Sequence, residues 1–366
     1  MESRENDLRK IVECLRNNNY TKSQILPTEK NYLKLPFEPL NLLNFVFWKR
    51  NALFEWTAFP EFYQKLFKIS YPQTFTLFKM FFLNSKMKRE AVFNFFREDD
   101  VNSFIKSGIL NESKGSYKFN IKLIPYKDMI LSKGTSWFGK DSVTFAEHLT
   151  KDLSGMVFDK TLDLCTGVGI QAMVSRKYSK RVIASDLRLR SVQNATLNSK
   201  INNLTDITFL TSDLFTNITG KYDLIIANPP YGIVTKNHDD KKYGLHTVFG
   251  LIENLDNYLN NGGMAEIITE SVVKNGKDMV LEKIKQVFGD KDYIVVLTPL
   301  NYHINKPLFK LVHKDYGISY IPLYIITFRK YGKNMILLLK LPLIKKIICF
   351  AYIALIYFKF FFVKTT

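Results

Sequence analysis

Cysteine is scarce. Cys14, Cys165 and Cys349 are the only three in 366 residues, and no two stand at a short spacing. That excludes a disulfide framework and a cysteine zinc cluster, and it points to a reducing, cytoplasmic compartment. The five histidines, His148, His238, His246, His303 and His313, show no ligand spacing, so no metal site is expected. Residues 1 to 19 are charged and helix-like without an apolar centre, so they lack the layout of a secretory signal. No internal repeat and no Gly/Ser-rich linker divides the chain, so the domain boundaries must come from a change in hydrophobic period. No apolar run reaches the roughly 20 residues that a membrane span requires; the longest, Ile347 to Phe358, is followed by Lys359.

Positive charge and bulky apolar residues are abundant. The formal charge is +18. Residues 329 to 366 hold eight of the basic residues and no acid, which leaves +10 for residues 1 to 328. Such a balance suits a polyanionic partner through counterion release, and it equally suits plain solubility. The tail itself, residues 331 to 366, is basic and apolar, which is compatible with contact to a membrane surface, with packing back on the core, or with a non-native terminal extension.

Phe75, Phe78, Phe82, Val92, Phe95 and Phe96 recur at helical spacing, a pattern of core packing rather than of a ligand box. The helix opened by Glu98-Asp99-Asp100 ends near Gly108. The period then shortens to two through Tyr117, Phe119, Ile121 and Leu123, predicting a hairpin around Asn111 to Gly115. Helices followed by a hairpin suggest a small, mainly helical, winged-helix-like domain over residues 1–130. Its candidate recognition helix, 99 to 107, carries Asp99 and Asp100 against Lys106 alone, which argues against duplex binding.

From Thr161 onward, strands and helices alternate. Strands are expected at 162–164, 182–184, 207–210, 224–227 and 265–268, with 318–328 as a last edge strand. The implied fold is α/β: a Rossmann-like, seven-stranded, mostly parallel sheet over residues 131–330, with ligands outside the carboxyl ends of the strands.

Four groups of residues fall at those ends. Asp163-Leu164-Cys165-Thr166-Gly167-Val168-Gly169 closes the first strand with a turn where backbone can approach a ligand closely; alone, it also suits NAD or no ligand. Asp186, followed by Leu187, ends the next strand, where an acid accepts from both ribose hydroxyls or caps a helix. Asp213, followed by Leu214, comes after the third, where it caps a turn or accepts from an adenine amine. The fourth strand runs into Asn228-Pro229-Pro230-Tyr231, whose prolines forbid helix and ladder. An amide or aromatic amine is a poor nucleophile because its lone pair is delocalised. An Asn oxygen and a proline-fixed carbonyl can each accept one of its N–H bonds and reshape the nitrogen, while Tyr stacks on the planar group.

Together these residues resemble class I S-adenosylmethionine-dependent methyltransferases of the Asn-Pro-Pro-Tyr group. The layout of Gly244-Leu245, a helix from 248 to 259 and Asn261-Gly262-Gly263 is closest to HemK/PrmC-type glutamine methyltransferases, some of which carry a winged-helix-like amino-terminal domain. The resemblance implies that Asp163, Cys165, Gly167 and Gly169 line S-adenosylmethionine, that Asp186 with Leu187 holds its ribose and Asp213 with Leu214 its adenine, and that Asn228 to Tyr231 take the target nitrogen. Asn228 also borders the cofactor. It implies N-methylation of a macromolecule, a protein Gln/Asn or a nucleic-acid adenine; a small-molecule or peptide methyltransferase and a non-catalytic nucleic-acid-binding protein are the alternatives. Cys165 stands where the family has its first glycine, and Gly232-Ile233 after the tetrad is shared with adenine enzymes.

Overall fold

The computed structural model describes residues 2–23, 68–69, 71–231, 244–303, 318–330 and 335–338. It divides into two compact units. Unit 1 comprises residues 1–152, 166–177 and 188–210, and unit 2 comprises 153–165, 178–187 and 211–366. The expected apolar run at 347 to 358 lies outside the described residues, as does most of the tail.

Unit 1 begins with helix α1 (Glu2–Asn17), whose Leu8, Ile11, Val12 and Leu15 are buried at the i, i+3, i+4, i+7 spacing of one helical face. Helices α2 (Pro72–Phe81), α3 (Arg89–Phe93) and α4 (Glu98–Lys106) follow, with strand β1 (Met87–Lys88) before α3. The aromatic stripe forms the core: Phe81 lies 4.4 Å from Phe119, and Phe96 meets Phe104 edge-on at 5.2 Å. The predicted hairpin is β2 (Leu110–Ser113) with β3 (Ser116–Phe119), closed by Lys114 and Gly115 at φ 49° and 68°, as a tight hairpin turn demands. β3 also pairs β1, giving the order β1-β3-β2, while Leu123 belongs to a second hairpin, β4 (Leu123–Tyr126) with β5 (Met129–Ser132).

Three further helices complete unit 1: α5 (Lys140–Asp152), α6 (Ile170–Ser175) and α7 (Leu189–Ile201). Asn198 of α7 and Asn202, which caps its carboxyl end, pair the free edge of β5. Asn202 accepts from Ile130 N at 3.0 Å and donates to Ile130 O at 2.8 Å; Asn198 accepts from Ser132 N at 2.7 Å and donates to Ser132 O at 3.0 Å.

Unit 2 is built on a sheet in which β6 (Phe158–Leu164), β7 (Ser179–Asp186), β9 (Tyr222–Ala227) and β10 (Leu259–Glu270) run parallel in the order β10-β9-β6-β7; β8 is Ile207–Thr211. Their interiors, such as Leu224 to Ala227, are fully buried, which accounts for uninterrupted apolar runs in place of alternation. Helix α8 (His246–Tyr258) covers the expected span before β10, and Gly262, at φ 77°, sits in the register shift between Leu259 and Met264.

The segment expected as the last edge strand is β14 (Ile318–Arg329), and it is not an edge. It pairs antiparallel with β10 on one side and with β13 (Ile294–His303) on the other. Beyond it, β15 (Met335–Leu338) pairs parallel with β13, so sheet structure continues into the stretch expected to be tail. The two-residue strands β11 (Val273–Lys274) and β12 (Lys277–Asp278) are a further addition to the seven-stranded expectation. They lead into α9 (Met279–Phe288), capped by Asp278, which accepts from Leu281 N at 3.0 Å and from Ser271 and Tyr324 hydroxyls at 2.6 and 2.8 Å. No helix among the described residues is long and apolar enough to cross a membrane.

Candidate active site

Strand register fixes where the candidate residues of unit 2 emerge. Leu164 of β6 stands opposite Ser185 of β7 on one side and Ala227 of β9 on the other. The next residue of each strand, Cys165, Asp186 and Asn228, therefore leaves the sheet in one row at its carboxyl edge. That edge is where a parallel α/β sheet presents ligand-binding groups. Asp163 lies two residues before Cys165, inside the sheet and buried at 1% exposure.

Cys165 adopts φ 59°. A side chain in this left-handed region costs roughly 1–2 kcal/mol that glycine avoids, so the chain keeps the turn despite the cysteine. Gly167 and Gly169 continue at φ 56° and 85°. A Cβ on Gly169 would stand 3.0 Å from the Cβ of Ala195 in α7, so glycine is needed there for helix packing as well as for backbone conformation. Val168 is held by the Asn198 amide, which donates to its carbonyl at 2.9 Å.

Asp186 is half-buried and Leu187 after it is exposed. The loop carrying Asp213 is tied internally: Ser212 Oγ donates to Leu214 O at 2.8 Å and accepts from Asn217 N at 3.0 Å, and Thr216 N donates to Asp213 O at 3.0 Å. Leu214, at φ 46°, meets Gly250 of α8, where a Cβ would lie 3.0 Å from its Cδ1. Phe215 stacks on Tyr258 at 4.3 Å. Asp213 itself is exposed. Sequence reasoning passed over Ser212, whose buried hydroxyl organises this loop. The only signal for it was a small polar residue between a strand end and an acid.

Asn228 and Tyr231 are half-buried, Pro229 is buried and Pro230 is exposed. Gly232, Ile233 and Tyr243 lie outside the described residues.

Burial, and then the carboxylates of Asp186, Asp163 and Asp213, push the Cys165 thiol up from its usual range. All three acids thus act on one point of the glycine turn. An acid-rich strand edge with acceptors for hydroxyls and an amine fits a cationic nucleoside such as S-adenosylmethionine.

Residues 134–297 match the family model described as methyltransferase small domain. A putative protein N5-glutamine methyltransferase of Methanocaldococcus jannaschii is 31% identical over 167 residues, spanning 43% of this chain and 77% of that protein. The chain belongs to the methyltransferase small domain family. It is an S-adenosylmethionine-dependent methyltransferase. A release factor glutamine methyltransferase of Francisella tularensis is 30% identical over 41% of this chain and 57% of its own length. A ribosomal RNA small subunit methyltransferase C of Haemophilus influenzae is 29% identical over 41% of this chain and 43% of its own length. The chain therefore spans about half the length of these two relatives. The family match begins at Gly134, after the amino-terminal elements that include the β1-β3-β2 sheet.

Proposed function

We propose that this methyltransferase acts in the cytoplasm and methylates the side-chain amide nitrogen of a glutamine in a protein substrate. The observation that carries the reading is the emergence of Asn228, at the head of Asn-Pro-Pro-Tyr, in the same strand-end row as Asp186 and Cys165. The 77% coverage of a relative named for glutamine methylation supports the choice of acceptor.

In this reading, S-adenosylmethionine supplies an electrophilic methyl on a positively charged sulfur. Asp186 accepts from its ribose hydroxyls and Asp213 from its adenine amine, while the backbone of Cys165, Gly167 and Gly169 leaves room for it beside Asp163. Leu187 and Leu214 border the base. The Asn228 side-chain oxygen and the Pro229 carbonyl each accept one N–H of the substrate amide. Holding both hydrogens turns the nitrogen lone pair toward the methyl, and the same acceptors stabilise the positive charge that grows on nitrogen. Pro230 fixes the loop and Tyr231 stacks on the planar amide. No strong base is required, because one N–H proton becomes acidic only as the new bond forms and then passes to water. Residues 1–130 choose the macromolecule and residues 131–330 hold the cofactor.

The test is transfer of labelled methyl from S-adenosylmethionine to a lysate of cells lacking the protein, followed by protease or nuclease digestion. Label released by protease and recovered as N5-methylglutamine is the expected result. Label released by nuclease as methyladenosine would instead support a nucleic-acid adenine as acceptor; the relative named for ribosomal RNA supports only the nucleic-acid class.

A further inference from the structure

The three-stranded sheet of unit 1 has one face that sequence reading did not single out. Strand register sets its two sides. Met87, Tyr117 and Glu112 form one row, and Leu110 with Phe119 another, on the side turned toward the core. The opposite side consists of Lys88, Ser116 and Ser113 in one row and Asn111 with Lys118 in the next. Lys88, Asn111, Ser113 and Lys118 are exposed there, and Lys86 and Lys114 flank the face.

What distinguishes this face from an ordinary solvated one is the fate of the nearby acids. Glu112 points to the other side, where it accepts from the Tyr117 hydroxyl at 2.9 Å. Glu98 pairs with Arg89 at 3.2 Å, and Asp100 with Lys10 of α1 at 2.6 Å. Among the described residues, no ion pair engages Lys86, Lys88, Lys114 or Lys118, and the face between them carries hydroxyls and an amide but no carboxylate. These are the side chains that contact phosphate oxygens. The acids Glu98, Asp99 and Asp100 at the start of α4 leave that helix poorly suited to a polyanion.

We infer that the exposed face of the β1-β3-β2 sheet, centred on Lys88 and Lys118, binds the phosphate backbone of single-stranded RNA. Charge complementarity selects a polyanion. A groove beside the face, lined by Ile105, Leu110, Asn111, Glu112, Ser113 and Lys114, offers an unstacked base apolar contact and hydrogen-bonding partners, which favours a single strand over a duplex. The inference goes beyond the choice of methyl acceptor: a protein glutamine presented on an RNA-containing assembly satisfies both.

The experiment uses the full-length chain and a fluorescein-labelled, mixed-sequence 20-nucleotide RNA, with binding followed by anisotropy across a salt series. The Lys88→Glu/Lys118→Glu variant should bind at least tenfold more weakly at 0.1 M salt. Its plot of log affinity against log salt should be shallower by about 1.4, the share of two phosphate contacts on a single strand. Lys180→Glu/Lys221→Glu, with the same change in net charge on unit 2, should stay within about twofold of the native protein. Cofactor affinity measured by calorimetry should be unchanged in both, which separates loss of this face from loss of fold or of the methyl-transfer site. Equal weakening by the two double variants, an unaltered salt slope in the first, or full competition by poly-glutamate at equal charge would overturn the inference; the last would point to an acidic protein partner.

Discussion

The backbone N–H of Ser212 donates to the carbonyl oxygen of Asp186 at 3.1 Å, so the acid assigned to ribose and the loop of the acid assigned to adenine are fastened to each other. The bond uses the main chain of Asp186 and not its carboxylate. Asp186→Ala should therefore keep the loop in place while removing two charge-assisted bonds to ribose, worth roughly 1.5–3 kcal/mol each. Calorimetry should show S-adenosylmethionine bound at least tenfold more weakly, with the melting temperature moved by no more than about 2 °C. Unchanged affinity would remove Asp186 from the ribose site.

Asn228→Ala should separate catalysis from binding. Its amide oxygen is assigned to the target nitrogen, so kcat should fall by at least about two orders of magnitude, the cost of a lost preorganised acceptor, while cofactor affinity stays near the native value. Tyr231→Phe should be mild because the stacking ring remains. Single-turnover kinetics on the identified substrate is the measurement, and an Asn228→Ala protein retaining more than about a tenth of native kcat would contradict the assignment.

Both described cysteines should be slow nucleophiles. Burial pushes the Cys14 thiol up to about 11, despite a bond from Asn18 that works the other way. At pH 8 it is then thiolate in only about one molecule in a thousand, against roughly a quarter for an ordinary cysteine. Cys165 shifts in the same direction, with the neighbouring carboxylates adding to burial. N-ethylmaleimide followed by peptide mass spectrometry at pH 7 and pH 9 should show little labelling of either, and unfolding in guanidinium should release both. Rapid labelling of Cys165 in the folded protein would contradict the acid-rich environment described for the turn.

Asp256 anchors α8 to the far side of the sheet. Lys330 and Lys291 reach its carboxylate at 2.6 and 2.9 Å, and the Tyr293 hydroxyl donates to it at 2.8 Å. Burial alone would raise its pKa, but those three bonds outweigh burial and hold the carboxyl well below its usual range. A lowered carboxyl stabilises the fold above the unfolded value of about 4, and that stabilisation is lost as the pH falls further. Asp256→Asn should lower the melting temperature at pH 7, and the gap from the native protein should narrow between about pH 4 and pH 2. A gap independent of pH would mean that the carboxylate charge contributes nothing.

How much of this was legible beforehand follows from the range of the interactions. The buried strands around 162–164 and 224–227 announce themselves as short apolar runs bounded by turn residues, and their order along the chain is enough to put Cys165, Asp186 and Asn228 at strand ends. Their alignment in one row comes from pairing between strands, which no local pattern encodes. The strand over Ile318 to Arg329 was recognisable as a strand, yet its place inside the sheet was not, because its sequence does not say that β13, and beyond it β15, extend the sheet past it. The cationic sheet face escaped notice for a similar reason: Lys88 and Lys118 are 30 positions apart, and only the ladder through Ser116 brings their rows together.

The asparagine pairing between α7 and β5 has a consequence for how such edges can be closed at all. Asn198 and Asn202 are one helical turn apart, a rise of about 6.0 Å, while Ile130 and Ser132 repeat along their strand at about 6.6 Å. The two rulers nearly agree, so a helix can stand in for a neighbouring strand provided that each tooth both gives and takes a hydrogen bond. A carboxamide does so with separate donor and acceptor atoms. An aspartate at either place would set oxygen against the strand carbonyl, and an alanine would leave an open edge available to a second molecule. A stretch of α7 that reads as plain polar surface is thereby a template of fixed pitch, and its spelling is constrained by the backbone of another element rather than by any side chain it meets.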